Sequence, residues 1–239
     1  MLNLIKYEGI IKVGIHQPNY LPWIGYFTKI LLSDYFIFLD DVQFSNEGMH
    51  HWHYLKTPQG PIRIKIPICQ TLGDRINEVK TRDELGWKSK HLKSIELNYK
   101  KASHYQEVYR DLAELILHDY DNIALMNIAI ISFICAKLGI STRLVNSSSF
   151  NVPTVGVERI IDLVKAVNGT DYISGMGARS YQDDRVFQEK GIRLHYLHYI
   201  PIVYDQLWGP FHANVSIIDY LMNCGYDLRP IVKGMSYTE

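Results

Sequence analysis

Cysteine is scarce in this sequence, and so is any excess of charge of one sign. The 239 residues hold three cysteines, Cys69, Cys135 and Cys224, odd in number, far apart and without a C-x-x-C pair. That pattern excludes a disulfide framework and a thiolate zinc site, and it points to a reducing compartment. Lysine plus arginine (25) equals aspartate plus glutamate (25), so the formal charge is zero. Binders of duplex nucleic acid or anionic membranes need clustered basic residues to displace counterions. The one local cluster, Lys88, Lys90, Lys93, Lys100 and Lys101, reads as a solvated helix face. No apolar stretch is long enough to span a bilayer, and the first residues do not join a basic region to an apolar run. A cytoplasmic protein is therefore expected, with neither nucleic acid nor membrane as partner. Long polar linkers, internal repeats and low-complexity tracts are also missing, so one domain over 1–239 is expected.

Hydrophobic residues make up 47% of the chain and charged residues 21%, enough apolar surface for a core without covalent staples. Short β-rich runs alternate with segments of helical period. Strands are expected at Lys12–Ile15, Tyr35–Leu39, Thr142–Val145, Asp171–Ile173 and Arg193–His198, with helices at Pro22–Ser33, Val157–Val167 and Gln182–Glu189 between them. Ile62–Ile68 alternates apolar and polar and carries Pro67, which suits an edge strand. Three further helices are expected at Gly86–Tyr99, Tyr105–Leu117 and Asn122–Leu138, and a last one at Ser216–Asn223, with Gly225 as a left-handed cap. Strands separated by helices imply parallel pairing. The expected fold is α/β, a three-layer sandwich with a mostly parallel sheet and a helical insertion over about 85–140.

In such a sheet, ligands collect at the carboxyl ends of the strands, and four segments qualify. His16, Gln17, Asn19, Tyr20 and Trp23 lie on a proline-stiffened loop that leaves the first strand and enters a helix, whose N-terminus favours an anion. The plain alternative is a rigid loop with a hydrogen-bonded core histidine. Asp40 and Asp41 follow the second strand, where a carboxylate pair can act as base, hold magnesium or orient sugar hydroxyls, or merely cap a turn. Ser174, Gly175, Gly177, Arg179 and Ser180 form a strand–glycine–helix passage. Its G-x-G-x-x-S spacing is a weak dinucleotide signal and a better anion nest, with Arg179 to neutralise a phosphate. Gln206, Trp208 and Asn214 lie in an aromatic and amide-rich segment suited to stacking on a base or sugar, or to packing a loop. His50, His51 and His53 are close enough to suggest a metal, but no carboxylate or cysteine stands at a ligand spacing, so none is expected.

His16-Gln17-Pro18-Asn19-Tyr20-Leu21-Pro22-Trp23-Ile24-Gly25-Tyr26-Phe27, Leu39-Asp40-Asp41-Val42-Gln43-Phe44, Leu55-Lys56-Thr57-Pro58-Gln59-Gly60, Ser174-Gly175 and Asn223-Cys224-Gly225 follow one another as ordered blocks. Together they resemble the WbqC-like family over nearly the whole chain. The resemblance adds Gln43 and Lys56 to the binding set and implies a role in bacterial surface-polysaccharide (O-antigen) synthesis. The chain departs from that family at His51-Trp52-His53-Tyr54, where Asn-Arg-Asn-Arg is usual, and at Gly175-Met176-Gly177-Ala178, where Gly-Pro-Gly-Gly is usual. The expected function is a transferase or ligase placing an acyl or aminoacyl group on a nucleotide-linked amino sugar, with His16, Asp40 and Asp41 as catalytic candidates. ATP or an activated acyl donor would be the co-reactant. The alternative is a non-catalytic sugar-nucleotide-binding or scaffold protein.

Overall fold

The computed structural model describes residues 9–180 and 182–233. The chain runs β1 (Lys12–His16), α1 (Ile24–Leu31), β2 (Tyr35–Phe38), β3 (Trp52–Thr57), β4 (Gly60–Lys65), β5 (Ile68–Cys69) and β6 (Lys80–Thr81). It continues through α2 (Trp87–Tyr99), α3 (Tyr105–Leu117), α4 (Ile123–Lys137), β7 (Arg143–Asn146), α5 (Gly156–Ala166), β8 (Asp171–Gly175), α6 (Asp184–Glu189), β9 (Arg193–Leu197), α7 (Ile217–Cys224) and α8 (Arg229–Lys233).

Five strands form one sheet in the order β7-β2-β1-β8-β9, and every neighbouring pair is parallel. Period-two alternation divides its side chains between two layers. Val13, Ile15, Ile37 and Tyr172 face one way and pack with Ile161, Leu163, Val164 and Phe187 of α5 and α6. Phe36 and Phe38 face the other way, into a larger core shared by α1, α2, α3, α4 and α7. The result is the three-layer α/β sandwich. Gly14 is required by this packing, because a Cβ there would stand 2.5 Å from Ser33 Oγ and 2.9 Å from the Phe36 ring.

The helices over 85–140 reach the edge that matters for function. Asn127 of α4, fully buried, donates through Nδ2 to the carbonyls of Pro18 (2.9 Å) and His50 (2.7 Å), pinning the loop after β1. Three expectations need correction. Ile62–Ile68 is not one strand: the run breaks at Ile66-Pro67 and serves two separate two-stranded sheets, β3–β4 and β5–β6. Gly225 has φ 71° but ψ −164°, so it ends α7 outside the left-handed helical region. The segment after β8 is a 3-10 turn, Met176–Ala178, rather than a nest of alternating handedness, and Gly175 has a negative φ of −82°.

Candidate functional site

Because all five strands run the same way, the carboxyl ends of β7, β2, β1, β8 and β9 share one edge of the sheet. The chain winds outward from β1 to β2 and β7, then returns to the other side of β1 for β8 and β9. The order therefore reverses between β1 and β8, the place where open α/β sheets leave a ligand crevice. His16 ends β1 and Ser174-Gly175 ends β8, so two of the expected segments flank this point.

The crevice is visible in the ladder itself. β1 pairs with β2 as far as His16↔Phe38, and β8 pairs with β9 as far as Gly175↔Leu197. Between β1 and β8 the pairing stops at Gly14↔Ile173. Over their last two residues these strands are split. The Ile15 carbonyl, which faces β8, accepts a hydrogen bond from Lys29 Nζ at 2.6 Å instead of the next rung of the ladder.

His16 stands beside the split on the α1 side, with its ring edge-on to Tyr26 (4.9 Å between centroids) and Trp23 (6.2 Å). Its Nδ1 is 3.0 Å from the Gln17 carbonyl, which can only accept, so Nδ1 carries the proton and Nε2 presents a lone pair. Burial, then the Lys29 charge, lowers the His16 pKa from 6.5 to about 3, so the ring is neutral at physiological pH. Tyr199, in the segment after β9, closes over Gly25, where a Cβ would meet its ring at 2.9 Å.

On the β8 side, Ser174 Oγ donates to Gln182 Oε1 at 2.7 Å. Gln182 also lines an open cleft of about 410 Å³ with Arg179, Asp183, Asp184, Arg185 and Tyr196. Arg179 is exposed, with its guanidinium 5.6 Å from the Tyr196 ring centroid, and Ser180 is exposed beside it. A Cβ on Gly175 or Gly177 would meet nothing within 4 Å, so neither the backbone nor the packing demands glycine there, and the space is open. A second cleft of about 420 Å³ lies at His118–Asp121 and α4. Asp119 and Asp121 line it, and unlike the cleft at Arg179 and Arg185 it has no arginine or lysine among the described residues of its lining.

Asp40 and Asp41 reach the same sheet edge one strand further on, but their oxygens are engaged. Asp40 accepts from Ser148 Oγ (2.6 Å), the Ser148 amide (3.0 Å) and Ser147 Oγ (3.1 Å). Asp41 accepts a short hydrogen bond from Ser147 Oγ and pairs with Arg159 at 2.6 Å. Burial alone would raise the Asp41 pKa, but Ser147 and Arg159 bring it below its usual range. The two carboxylates tie the end of β2 to the turn after β7 and to α5, and Gln43 beyond them is exposed.

Lys56, Gln206 and Trp208 form another group. Lys56 is fully buried in β3 and donates to Gln206 Oε1 (2.8 Å) and the Pro210 carbonyl (2.7 Å). Beneath it, Asp219 of α7 accepts from Tyr99 (3.0 Å) and Tyr204 (2.9 Å), and burial raises its pKa. Trp208 Nε1 donates to the Asn98 carbonyl. This saturated network clasps the 204–212 segment onto α2 and α7, and Asn214 is exposed beyond it. Tyr20 is buried, its hydroxyl 3.0 Å from His91 Nδ1.

Under the His16 loop, His50, His51 and His53 are fully buried, and among the described residues none of their ring nitrogens makes a hydrogen bond of ordinary geometry; the Asn19 and Asn127 side-chain oxygens lack one as well. His53 stacks on Trp23, and His50 and His51 flank Phe44. Burial lowers each of these histidines to about 4, so they are packed as neutral rings. Among the described residues, no group of three His, Cys, Asp or Glu side chains is placed to hold a metal ion. At the departure from the family pattern, His51 and His53 point inward, while the Trp52 ring takes the Arg63 guanidinium at 5.3 Å.

Sequence reasoning missed Lys29 and Arg159. A signal existed for Lys29: it is the one charged residue in IGYFTKIL, a helix buried on every side through Ile30. Arg159 had none, since its acidic partner is 118 positions away.

Comparison with known proteins agrees over nearly the whole chain. A family model described as the WbqC-like protein family matches residues 17–230. Uncharacterized protein Rv1507c of Mycobacterium tuberculosis is 38% identical over 218 residues, covering 90% of this chain and 94% of its own. No solved structure matches.

Proposed function

The chain belongs to the WbqC-like protein family, and from that premise we propose that it is a transferase or ligase acting on a nucleotide-linked amino sugar in surface-polysaccharide synthesis. The observation that carries this reading is the split between β1 and β8, with His16 on one side and the Ser174–Ser180 passage on the other. Ligand phosphates face Arg179, and the sugar amine faces His16. The amine nitrogen forms a bond to the acyl carbon of a thioester or acyl phosphate, and the bond from that carbon to its leaving group breaks. His16 Nε2 accepts the amine's proton, as its tautomer allows, and, since a pKa near 3 keeps the ring neutral, passes it on to the departing thiolate or phosphate. Backbone N–H groups after Gly175 and the Gln17 amide supply donors for the developing oxyanion. Asp40 and Asp41, held by Ser147, Ser148 and Arg159, position the edge of the site and do not move a proton.

That occupancy of both carboxylates also favours a second reading, a non-catalytic sugar-nucleotide binder, because it leaves His16 without an acidic partner. A turnover screen separates them. The protein is incubated with nucleotide-diphosphate amino sugars and acyl thioesters, or with carboxylic acids and ATP, and products are read by mass. An acylated sugar nucleotide supports the transferase; binding without any product across the panel supports the binder.

A further inference from the structure

We propose that the split between β1 and β8 is a pyrophosphate slot, and that Lys29, on the helix behind it, is its cation. This deepens the reading above and rests on it for the nucleotide attached to the pyrophosphate.

Lys29 is 5% exposed, the one charged residue of α1, and among the described residues its Nζ makes one hydrogen bond, to the Ile15 carbonyl. No carboxylate lies within ion-pair distance of it among the described residues. A buried ammonium usually has an acidic partner or several acceptors, because desolvation is costly. Here two of its three donors have no acceptor among the described residues. Near it are the Tyr172 ring, 5.8 Å away, and the His16 ring, neither a counter-ion.

The place is as informative as the partner. Lys29 stands where the ladder opens, at the Ile15 carbonyl whose rung to β8 is missing. By the alternation of a strand, the Gly175 N–H points into the same split. An ammonium and a backbone N–H facing one gap at the switch point suit a tetrahedral anion. Arg179, on the turn that follows, is exposed with its guanidinium over the Tyr196 ring, a second cation at this end of β8. A diphosphate, with two charged groups, suits Lys29 of α1 together with Arg179 of the turn after β8 better than a lone carboxylate does.

Calorimetry with pyrophosphate and with a nucleotide-diphosphate sugar tests this on the full chain. Lys29→Met, and Lys29→Gln should the first fail to fold, is expected to weaken both ligands by about tenfold to a hundredfold, the worth of a charge-assisted hydrogen bond. Arg179→Ala weakens the same two ligands. Equal affinity in wild type and a folded Lys29 variant overturns the slot and leaves the proposed function standing. Pyrophosphate binding that is lost in the variant, without any preference for sugar nucleotides, supports the slot and overturns the sugar-nucleotide reading. Wild-type protein that binds neither ligand at millimolar concentration overturns both.

Discussion

Replacing Lys29 by methionine should make the protein's stability respond differently to alkali. Methionine fills nearly the same volume but cannot be charged. Burial lowers the Lys29 pKa from 10.5 to about 7 in the folded protein. The unfolded chain thus binds a proton that the folded protein releases throughout the window between those values. Wild-type stability gains from this group as pH rises from about 7 toward 10.5, at nearly 1.4 kcal/mol per pH unit. Half the ammonium is already neutral at pH 7, so the gain between pH 7 and 9 is about 2 kcal/mol. For a chain of this length that corresponds to a rise of about 4–8 °C in melting temperature relative to Lys29→Met. The variant also loses the bond to the Ile15 carbonyl, about 1 kcal/mol, but that cost does not vary with pH. Differential scanning calorimetry of both proteins at pH 7, 8 and 9 reads the pH-dependent part directly, since every other titrating group cancels in the difference. Parallel melting curves at all three pH values would refute the depressed lysine and with it the picture of an under-satisfied cation.

Acid should unfold the protein early. His50, His51, His53 and His91 have folded pKa values lowered to about 4 and His16 to about 3, so the stability they protect is complete above 6.5 and is lost as pH falls below it. Each costs about 1.4 kcal/mol per pH unit, together about 10 kcal/mol by pH 5, which is comparable with a typical total stability; circular dichroism showing native structure at pH 4.5 would contradict it. Arg159→Ala strands Asp41 in a site where both side chains are 12% exposed, and is expected to cost about 3 kcal/mol, seen as a lower midpoint in urea; an unchanged midpoint removes the strut. With a substrate in hand, His16→Ala should lower turnover by about a hundredfold or more with the fold intact, whereas Arg179→Ala should chiefly raise KM. Full turnover in His16→Ala returns His16 to a structural role.

The sheet and its helices were legible because each carries a local period. Tyr105–Leu117 is a helix over the expected residues, and β1, β2, β7, β8 and β9 lie within a residue or two of their expected bounds. β3 was not legible as a strand, since its inward positions include His53 and Lys56, which read as polar. The sheet edge could be named from strand ends alone, and that brought His16 and Gly175 together. What each side chain does there could not be named so. Asp40 and Asp41 look reactive in isolation, and only the fold supplies Ser147, Ser148 and Arg159 to occupy them. Lys56 and Gln206 look like ligand contacts and instead hold each other across 150 residues. Lys29 is the opposite case: the sequence marks it only as the one charge in an apolar helical stretch, and the end of the β1–β8 ladder places it.

The most direct test of the account is a crystal structure with a uridine- or thymidine-diphosphate amino sugar bound. The account predicts the diphosphate in the split between β1 and β8, within hydrogen-bond reach of Lys29 Nζ and Arg179, and the sugar amine beside His16 Nε2. A ligand seated instead in the cleft at His118–Asp121, or with its diphosphate away from the β1/β8 split, would contradict it.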